Sequence, residues 1–294
     1  MSFKSWLKQL PGLRYIVDVR RDLQDIRWEL ATVRKTADDQ LEAANAAYVD
    51  RLLTDARYAD PRMLAHHELR VHSQSGEDGI IAEIYRRIGP GDRTFIEFGV
   101  ESGVETNTTL LLRQGWRGWW VDGSAESVAR ARTLFAPEIA AGQLTIIEAL
   151  VTSSNAARLL ADAGAPARVD LLSLDIDRNT WHLWKALRGL SARVVVTEYN
   201  ASFGPTTDWV IEDDPTAWWN GTVNFGASLA AFERLGREFG YALVGCTLNG
   251  SNAFFVTAAL ADDRFAGPFT SARHWEPPRY FLDHRGGHPT GPLR

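Results

Sequence analysis

The 294-residue chain has little cysteine, little methionine and little net charge. One cysteine can form neither an intramolecular disulfide nor a cysteine zinc cluster, so a stapled secreted fold is excluded. Formal charge is only −5, from 32 Lys and Arg against 37 Asp and Glu. No basic field therefore covers the surface, and nucleic acid is not an expected partner. No apolar run approaches the roughly 20 residues that span a bilayer, and the N-terminus lacks the apolar core of a signal peptide. A cytoplasmic protein without a transmembrane segment is the expectation. There is no His-Glu-x-x-His spacing, no internal repeat and no low-complexity tract, so neither a zinc protease nor a solenoid is expected. What the chain has in excess is tryptophan, 11 residues against 2 Met. That excess fits either an aromatic core or a site that stacks flat ligands.

The first residues, Phe3-Lys4-Ser5-Trp6-Leu7-Lys8-Gln9-Leu10, mix bulky apolar and cationic side chains. Such a segment can rest on the inner face of a membrane or dock on a neighbour. After Pro11, Val19, Leu23, Ile26, Leu30, Val33 and Ala37 recur in alternating steps of four and three, the spacing of a coiled-coil seam. The alternation slips at Leu41 and resumes through Ala44 and Tyr48. A long helix within an extension over 1–57 is predicted, either packed on its own domain or joining copies of the chain into a homo-oligomer. Residues 58–73, with Asp60-Pro61, read as a linker, 74–257 as the main domain and 258–294 as a Pro/Gly-rich tail.

From Ser75 the signals become regular. Ser75-Gly76-Glu77-Asp78 has the form of a capping box, with Ile80, Ile81, Ile84 and Ile88 on one helical face behind it. Short apolar runs at 94–98, 118–121, 144–147, 170–174 and 193–197 then alternate with stretches long enough for crossover helices. Near the end, 227–239 reads as a helix, 241–248 and 253–256 as strands, and Asn249-Gly250 as the tight turn between them. The expected fold is α/β, with seven strands of which six are parallel and the last is reversed.

The first strand runs into Phe98-Gly99-Val100-Glu101-Ser102-Gly103, where glycine permits the close backbone approach that a nucleoside cofactor needs. About twenty residues on, the second strand ends in Asp122, placed to accept hydrogen bonds from ribose hydroxyls. The G-x-x-x-G spacing differs from the G-x-G-x-x-G of dinucleotide sites, and Glu97 and Glu101 would repel a pyrophosphate. The same acids favour the cationic end of S-adenosylmethionine.

With Phe95-Ile96-Glu97-Phe98-Gly99, Asp122-Gly123, Leu171-Leu172-Ser173-Leu174-Asp175-Ile176-Asp177 and Thr197-Glu198-Tyr199-Asn200, the chain resembles the class I S-adenosylmethionine-dependent methyltransferases. Within them it is most similar to the FkbM-type group of glycan and natural-product O-methyltransferases, over roughly Gln74 to Val256. The resemblance implies a Rossmann-like seven-stranded sheet with its last strand antiparallel and helices on both faces. It implies that Glu97, Gly99 and Gly103 line the methionine side of S-adenosylmethionine, that Asp122 holds the ribose, and that Glu148, Ala149 and Leu150 lie near the adenine.

Methyl transfer to a sugar hydroxyl requires a base, or a metal that makes the hydroxyl more acidic. Asp175 and Asp177 follow the fourth strand and Glu198 and Asn200 the fifth, and adjacent parallel strands bring these tips together. Asp175, Glu198 and Asn200 offer hard oxygen ligands for Mg²⁺, while Asp177, Glu198 or His182 could act as a metal-free base. The stretch between Asn200 and Ala227 is too long for a simple connector and reads as an acceptor-binding lid. Its Phe203, Trp209, Trp218 and Trp219, joined by Trp275 of the tail, are candidates to stack on the acceptor, and Asp208, Glu212, Asp213 and Asp214 to take its hydroxyls. The expected function is O-methylation of a carbohydrate or glycosylated acceptor in polysaccharide biosynthesis. The alternatives are O-methylation of a small catechol-like metabolite and a non-catalytic coiled-coil scaffold in glycan assembly.

Overall fold

The computed structural model describes residues 11–217, 219 and 221–283. Phe3 to Leu10 and Trp218 lie outside the described residues. Two compact units are present, one containing residues 11–51 and the other residues 52–283. The first is a single continuous helix, α1 (Pro11–Leu52), where the four-and-three spacing predicts one.

In the second unit, α2 (Glu77–Ile88) precedes β1 (Thr94–Phe98). Its start departs from a capping box, because Gly76 is the N-cap and makes no side-chain cap bond. Instead, the Asp78 carboxylate accepts the backbone N–H groups of Val71, His72 and Ser73, and Glu77 accepts that of Ser75. Two buried acids thus fold the preceding turn back over the helix start.

The remaining strands are β2 (Arg117–Asp122), β3 (Leu144–Glu148), β4 (Arg168–Leu174), β5 (Ser191–Glu198), β6 (Tyr241–Cys246) and β7 (Asn252–Thr257). They form one sheet in the order β3-β2-β1-β4-β5-β7-β6. β1 to β5 are mutually parallel, and β7 runs antiparallel between β5 and β6. This is a Rossmann-like seven-stranded sheet with its last strand antiparallel and helices on both faces. All five residues of β1 are buried, which explains its unbroken Phe-Ile-Glu-Phe run: a strand covered on both faces needs no polar alternation. The reversed strand follows from local chemistry. Gly250, at φ +83°, closes the turn by donating its N–H to the Thr247 carbonyl, so β7 must return beside β6.

Five of the described tryptophans, Trp116, Trp119, Trp120, Trp181 and Trp184, are buried in the core. Trp184 packs among Phe232, Phe239, Tyr241 and Phe255, Trp120 meets Phe135 edge-on, and Trp116 meets Tyr85. The segment expected as a linker also packs on the sheet unit. Tyr58, Met63, Leu64 and Ala65 are buried, and the Tyr58 hydroxyl donates to the buried Glu276 of the tail. Arg57 and Arg279 pair with that same carboxylate, so linker and tail are joined through one charge network.

β1 has β2 on one side and β4 on the other. Here the winding of the chain reverses, and the loops leaving β1 and β4 diverge to opposite faces. A crevice at the carboxyl ends of these strands is the consequence.

Candidate active site

The crevice is a cavity of about 620 Å³, large enough for a nucleoside cofactor and part of an acceptor. Its walls come from five strand tips and the lid: Gly99, Glu101 and Glu105 after β1, Val121 and Asp122 at the end of β2 with Gly123 and Ser124 behind them, Leu150 and Val151 after β3, Asp175, Ile176, Asp177 and Asn179 after β4, and Glu198 at the end of β5. Gln74, Pro215, Ala217 and Trp219 complete it. Among the described residues no Lys or Arg lines the cavity, so it suits a cation better than a pyrophosphate.

At one end, the Asp122 carboxylate accepts the backbone N–H of Glu101 at 2.7 Å and of Ser124 at 2.8 Å, one on each oxygen. These bonds fix the carboxylate and leave each oxygen a further lone pair for a vicinal diol. Gly99, at φ +79°, shows why glycine is required at the β1 tip: a Cβ there would lie 1.5 Å from the Asp175 carbonyl oxygen. Glu101 and Asp177, both lining the cavity, hold positive φ without being glycine. Such strain is sustained by the surrounding contacts and concentrates at functional sites.

At the other end, Asp175, Asp177 and Glu198 each present a carboxylate oxygen within 4.8 Å of the others. Burial raises the pKa of Asp175 and Glu198 well above the ordinary carboxylate range, and mutual repulsion among the acids adds to it. Asp177, more exposed than the other two, is raised by its partial burial. Three crowded acids have two ways to relieve this repulsion: hold a proton between them or accept a cation.

Several of the residues expected here serve other ends. Glu97 is buried beside the cavity, where burial pushes its pKa to about 7. Its oxygens accept the Asn107 N–H, the Thr108 hydroxyl and the Ser173 hydroxyl. It shapes the loop after β1 and does not line the pocket. Gly103 packs against Trp120 and Phe135, where a Cβ would lie 2.5 Å from the indole, so its role is close packing. Glu148 points out of the cavity to pair with Arg132 at 3.0 Å, and the nucleoside end is walled by Leu150 and Val151 instead. The Asn200 amide donates to the carbonyls of Val223 and Phe225 and accepts from Ser202, so it is buried under the lid and does not line the cavity. Asp177 takes its place in the oxygen cluster. His182 contacts the Ile211 carbonyl through Nε2 at 2.7 Å and anchors the lid, away from the acids' cavity.

The lid itself is held by an isolated bridge between Val210 and Ala227. Trp209 stacks on Phe203 at 4.4 Å, and Trp275 packs against the core, which leaves Trp219 as the described tryptophan facing the cavity. Three of the four lid acids are engaged as well, and Glu212 is exposed. Asp208 pairs with Arg234, Asp213 accepts from Ser153, and Asp214 accepts from Thr216. Gln74, Glu105 and Val151 carry no sequence signal of their own, because only folding brings those three loops to the rim.

No protein-family model and no curated protein matches the chain. Solved structures do resemble it. The N-terminal domain of EvdMO1 with S-adenosylhomocysteine bound is 17% identical over 61% of this chain and 79% of its own, with a TM-score of 0.40. Magnesium protoporphyrin IX methyltransferase from Synechocystis PCC 6803, also with S-adenosylhomocysteine, is 15% identical over 76% of this chain and 99% of its own, at a TM-score of 0.43. An S-adenosylmethionine-dependent methyltransferase from Clostridium acetobutylicum is 13% identical over 60% and 88%, at 0.39. Likenesses this slight transfer no activity, and the fold rests on the strand order given above.

Proposed function

We propose that the chain is an S-adenosylmethionine-dependent O-methyltransferase of the FkbM type, acting on a sugar hydroxyl of a glycan or glycosylated metabolite. One observation carries the reading: a single cavity joins an anchored diol-accepting carboxylate, Asp122, to three crowded acids, Asp175, Asp177 and Glu198. The first suits a ribose and the second an acceptor hydroxyl. S-adenosylmethionine fits the residues present. Gly99 lets the backbone come close, Leu150 and Val151 give an apolar wall for a base, and the acid-lined, Lys- and Arg-free cavity favours a sulfonium and an ammonium. When bound, that cofactor would supply an electrophilic methyl group for the acceptor oxygen.

The residues of the chain do the rest. Trp219 and Pro215 flank the acceptor end, and a sugar's C–H face can stack on the exposed indole. An acid whose pKa lies near neutrality is a suitable base, because a substantial share of it is ionised near neutral pH and yet it retains a proton affinity. Asp175, pushed up to about 7 by burial and by the charge of Asp177, can take the hydroxyl proton as the oxygen loses it, with Glu198, itself raised by burial and by Asp175, beside it. Where a divalent cation is used, Asp175, Asp177 and Glu198 would hold it, and it would lower the hydroxyl's pKa directly. The same acid cluster favours a second reading, a metal-chelating diol of the catechol type as acceptor.

A methylation assay on a panel of glycans and aromatic diols, with and without chelator and read by mass spectrometry, separates these readings. Methylated glycan is the expected result, and methylation of the diols alone would replace the first reading by the second. Failure of purified protein to bind S-adenosylmethionine in a calorimeter would overturn both and leave the scaffold role.

A further inference from the structure

The apolar seam of α1 has no use in the chemistry above. Val19, Leu23, Ile26, Leu30 and Val33 are 37–66% exposed along a helix of 42 residues. Isolated helices bury their apolar stripe against something, and a seam in steps of four and three is shaped for another helix with the same spacing. Because Leu23 to Ile26 is a step of three, Leu23, Leu30 and Ala37 occupy heptad positions a, and Val19, Ile26 and Val33 positions d.

The flanking charges then fall into two single-sign rows. Arg20, Arg27 and Arg34 occupy the e positions, and Asp22 and Glu29 occupy g positions. In a parallel bundle each g side chain faces the e side chain five residues further along the next copy. Asp22 then meets Arg27 and Glu29 meets Arg34, unlike charges at both places. Tyr15, at the preceding g position, meets Arg20, a cation over an aromatic ring. An antiparallel arrangement would set e against e and g against g, Arg opposite Arg and acid opposite acid. The charge pattern therefore selects copies of this chain as the occupant and parallel as the orientation. Leucine at a with β-branched residues at d disfavours two strands and favours three or four.

We propose that α1 joins three or four copies of this chain in a parallel coiled coil through Val19 to Ala37. The assembly is independent of the chemistry at the sheet. Methyl transfer can fail to be found while the bundle stands, and the reverse.

Light scattering on the full chain is expected to give three or four times the 32.8 kDa of one chain. A monomer or a dimer at micromolar concentration would overturn the proposal. Leu30→Asp places a charge in the seam and should reduce the mass to that of one chain, with the thermal transition of the sheet unit unmoved. Orientation is read from charge. Arg27→Glu with Arg34→Glu sets like charges at both g–e contacts of a parallel bundle, and should raise the concentration of half-assembly at least tenfold. Adding Asp22→Arg and Glu29→Arg to that variant should restore the original value. In an antiparallel bundle the first pair of substitutions exchanges Arg–Arg for Glu–Glu contacts, so an unchanged assembly would overturn the parallel arrangement.

Discussion

Asp122 and Glu198 sit at opposite ends of one cavity and are treated differently by the fold. Asp122 is held by two backbone N–H groups, which satisfy its charge. Glu198 faces Asp175 and Asp177, and burial with repulsion raises its pKa well above normal. Asp122→Ala removes both the diol acceptor and the bonds that order the Glu101 and Ser124 turns. We expect S-adenosylmethionine binding to weaken by at least tenfold in calorimetry, consistent with hydrogen bonds to a charged group worth ~1.5–3 kcal/mol. Glu198→Gln should act oppositely on stability and on activity. A carboxyl group whose folded pKa is raised binds protons more tightly in the folded state, so its contribution is retained at low pH and lost as pH climbs past the unfolded value. Measured at pH 5 and pH 8, both above the ordinary glutamate value of 4.5, wild-type stability should therefore fall with rising pH more steeply than that of Glu198→Gln. Scanning calorimetry at pH 8 should give the variant the higher Tm, by about 2–4 °C for each kcal/mol recovered, while methyl transfer falls. Equal Tm values at both pH values would show that the acids do not repel in the folded protein. The types of these acids were legible in the sequence, since they end predicted strands. Which atoms face the cavity was not, and Glu97, Glu148 and Asn200 show why. Each is a polar group at a strand tip, but its side chain is committed to Thr108, Arg132 or Val223 by contacts between segments far apart in the chain.

At the level of elements, the strands and the final hairpin were legible because each is set locally. Buried apolar runs mark β1, β4 and β5, and Asn249-Gly250 closes β6 onto β7. The lid was legible only as a long aromatic segment. Its inner order comes from tertiary contacts, with Trp209 stacked on Phe203, Ser228 accepting the Trp209 N–H, and His182 contacting the Ile211 carbonyl. The position of His182 distinguishes an anchor from a base. His182→Ala removes one hydrogen bond worth about 1 kcal/mol, so KM for the acceptor should rise by about fivefold with kcat little changed. A fall in kcat of a hundredfold or more would instead mark a general base. The expected linker belongs with these tertiary effects. Residues 58–73 lack strong periodicity, yet Tyr58 is buried because Glu276 of the tail accepts its hydroxyl.

For the whole molecule, cofactor binding should couple to the stability of the sheet unit, because Gly99, Asp122 and Asp175 come from three strands that must be assembled first. At a hundredfold excess over its Kd, S-adenosylmethionine should stabilise the folded state by about 2.7 kcal/mol, read as a rise in Tm that is absent in Asp122→Ala. An equal rise in the variant would place the cofactor elsewhere. The sequence by itself determined the strand types, the reversed final pair, the long helix and the residue types at the strand tips, because each follows from periodicity and turn chemistry within a few residues. Tertiary structure decided which of those tips share a cavity, that Asp177 rather than Asn200 completes the oxygen cluster, and that Trp116, Trp119, Trp120, Trp181 and Trp184 are core. These outcomes depend on which distant segment takes up each hydrogen bond and each buried face, and no local pattern encodes that choice.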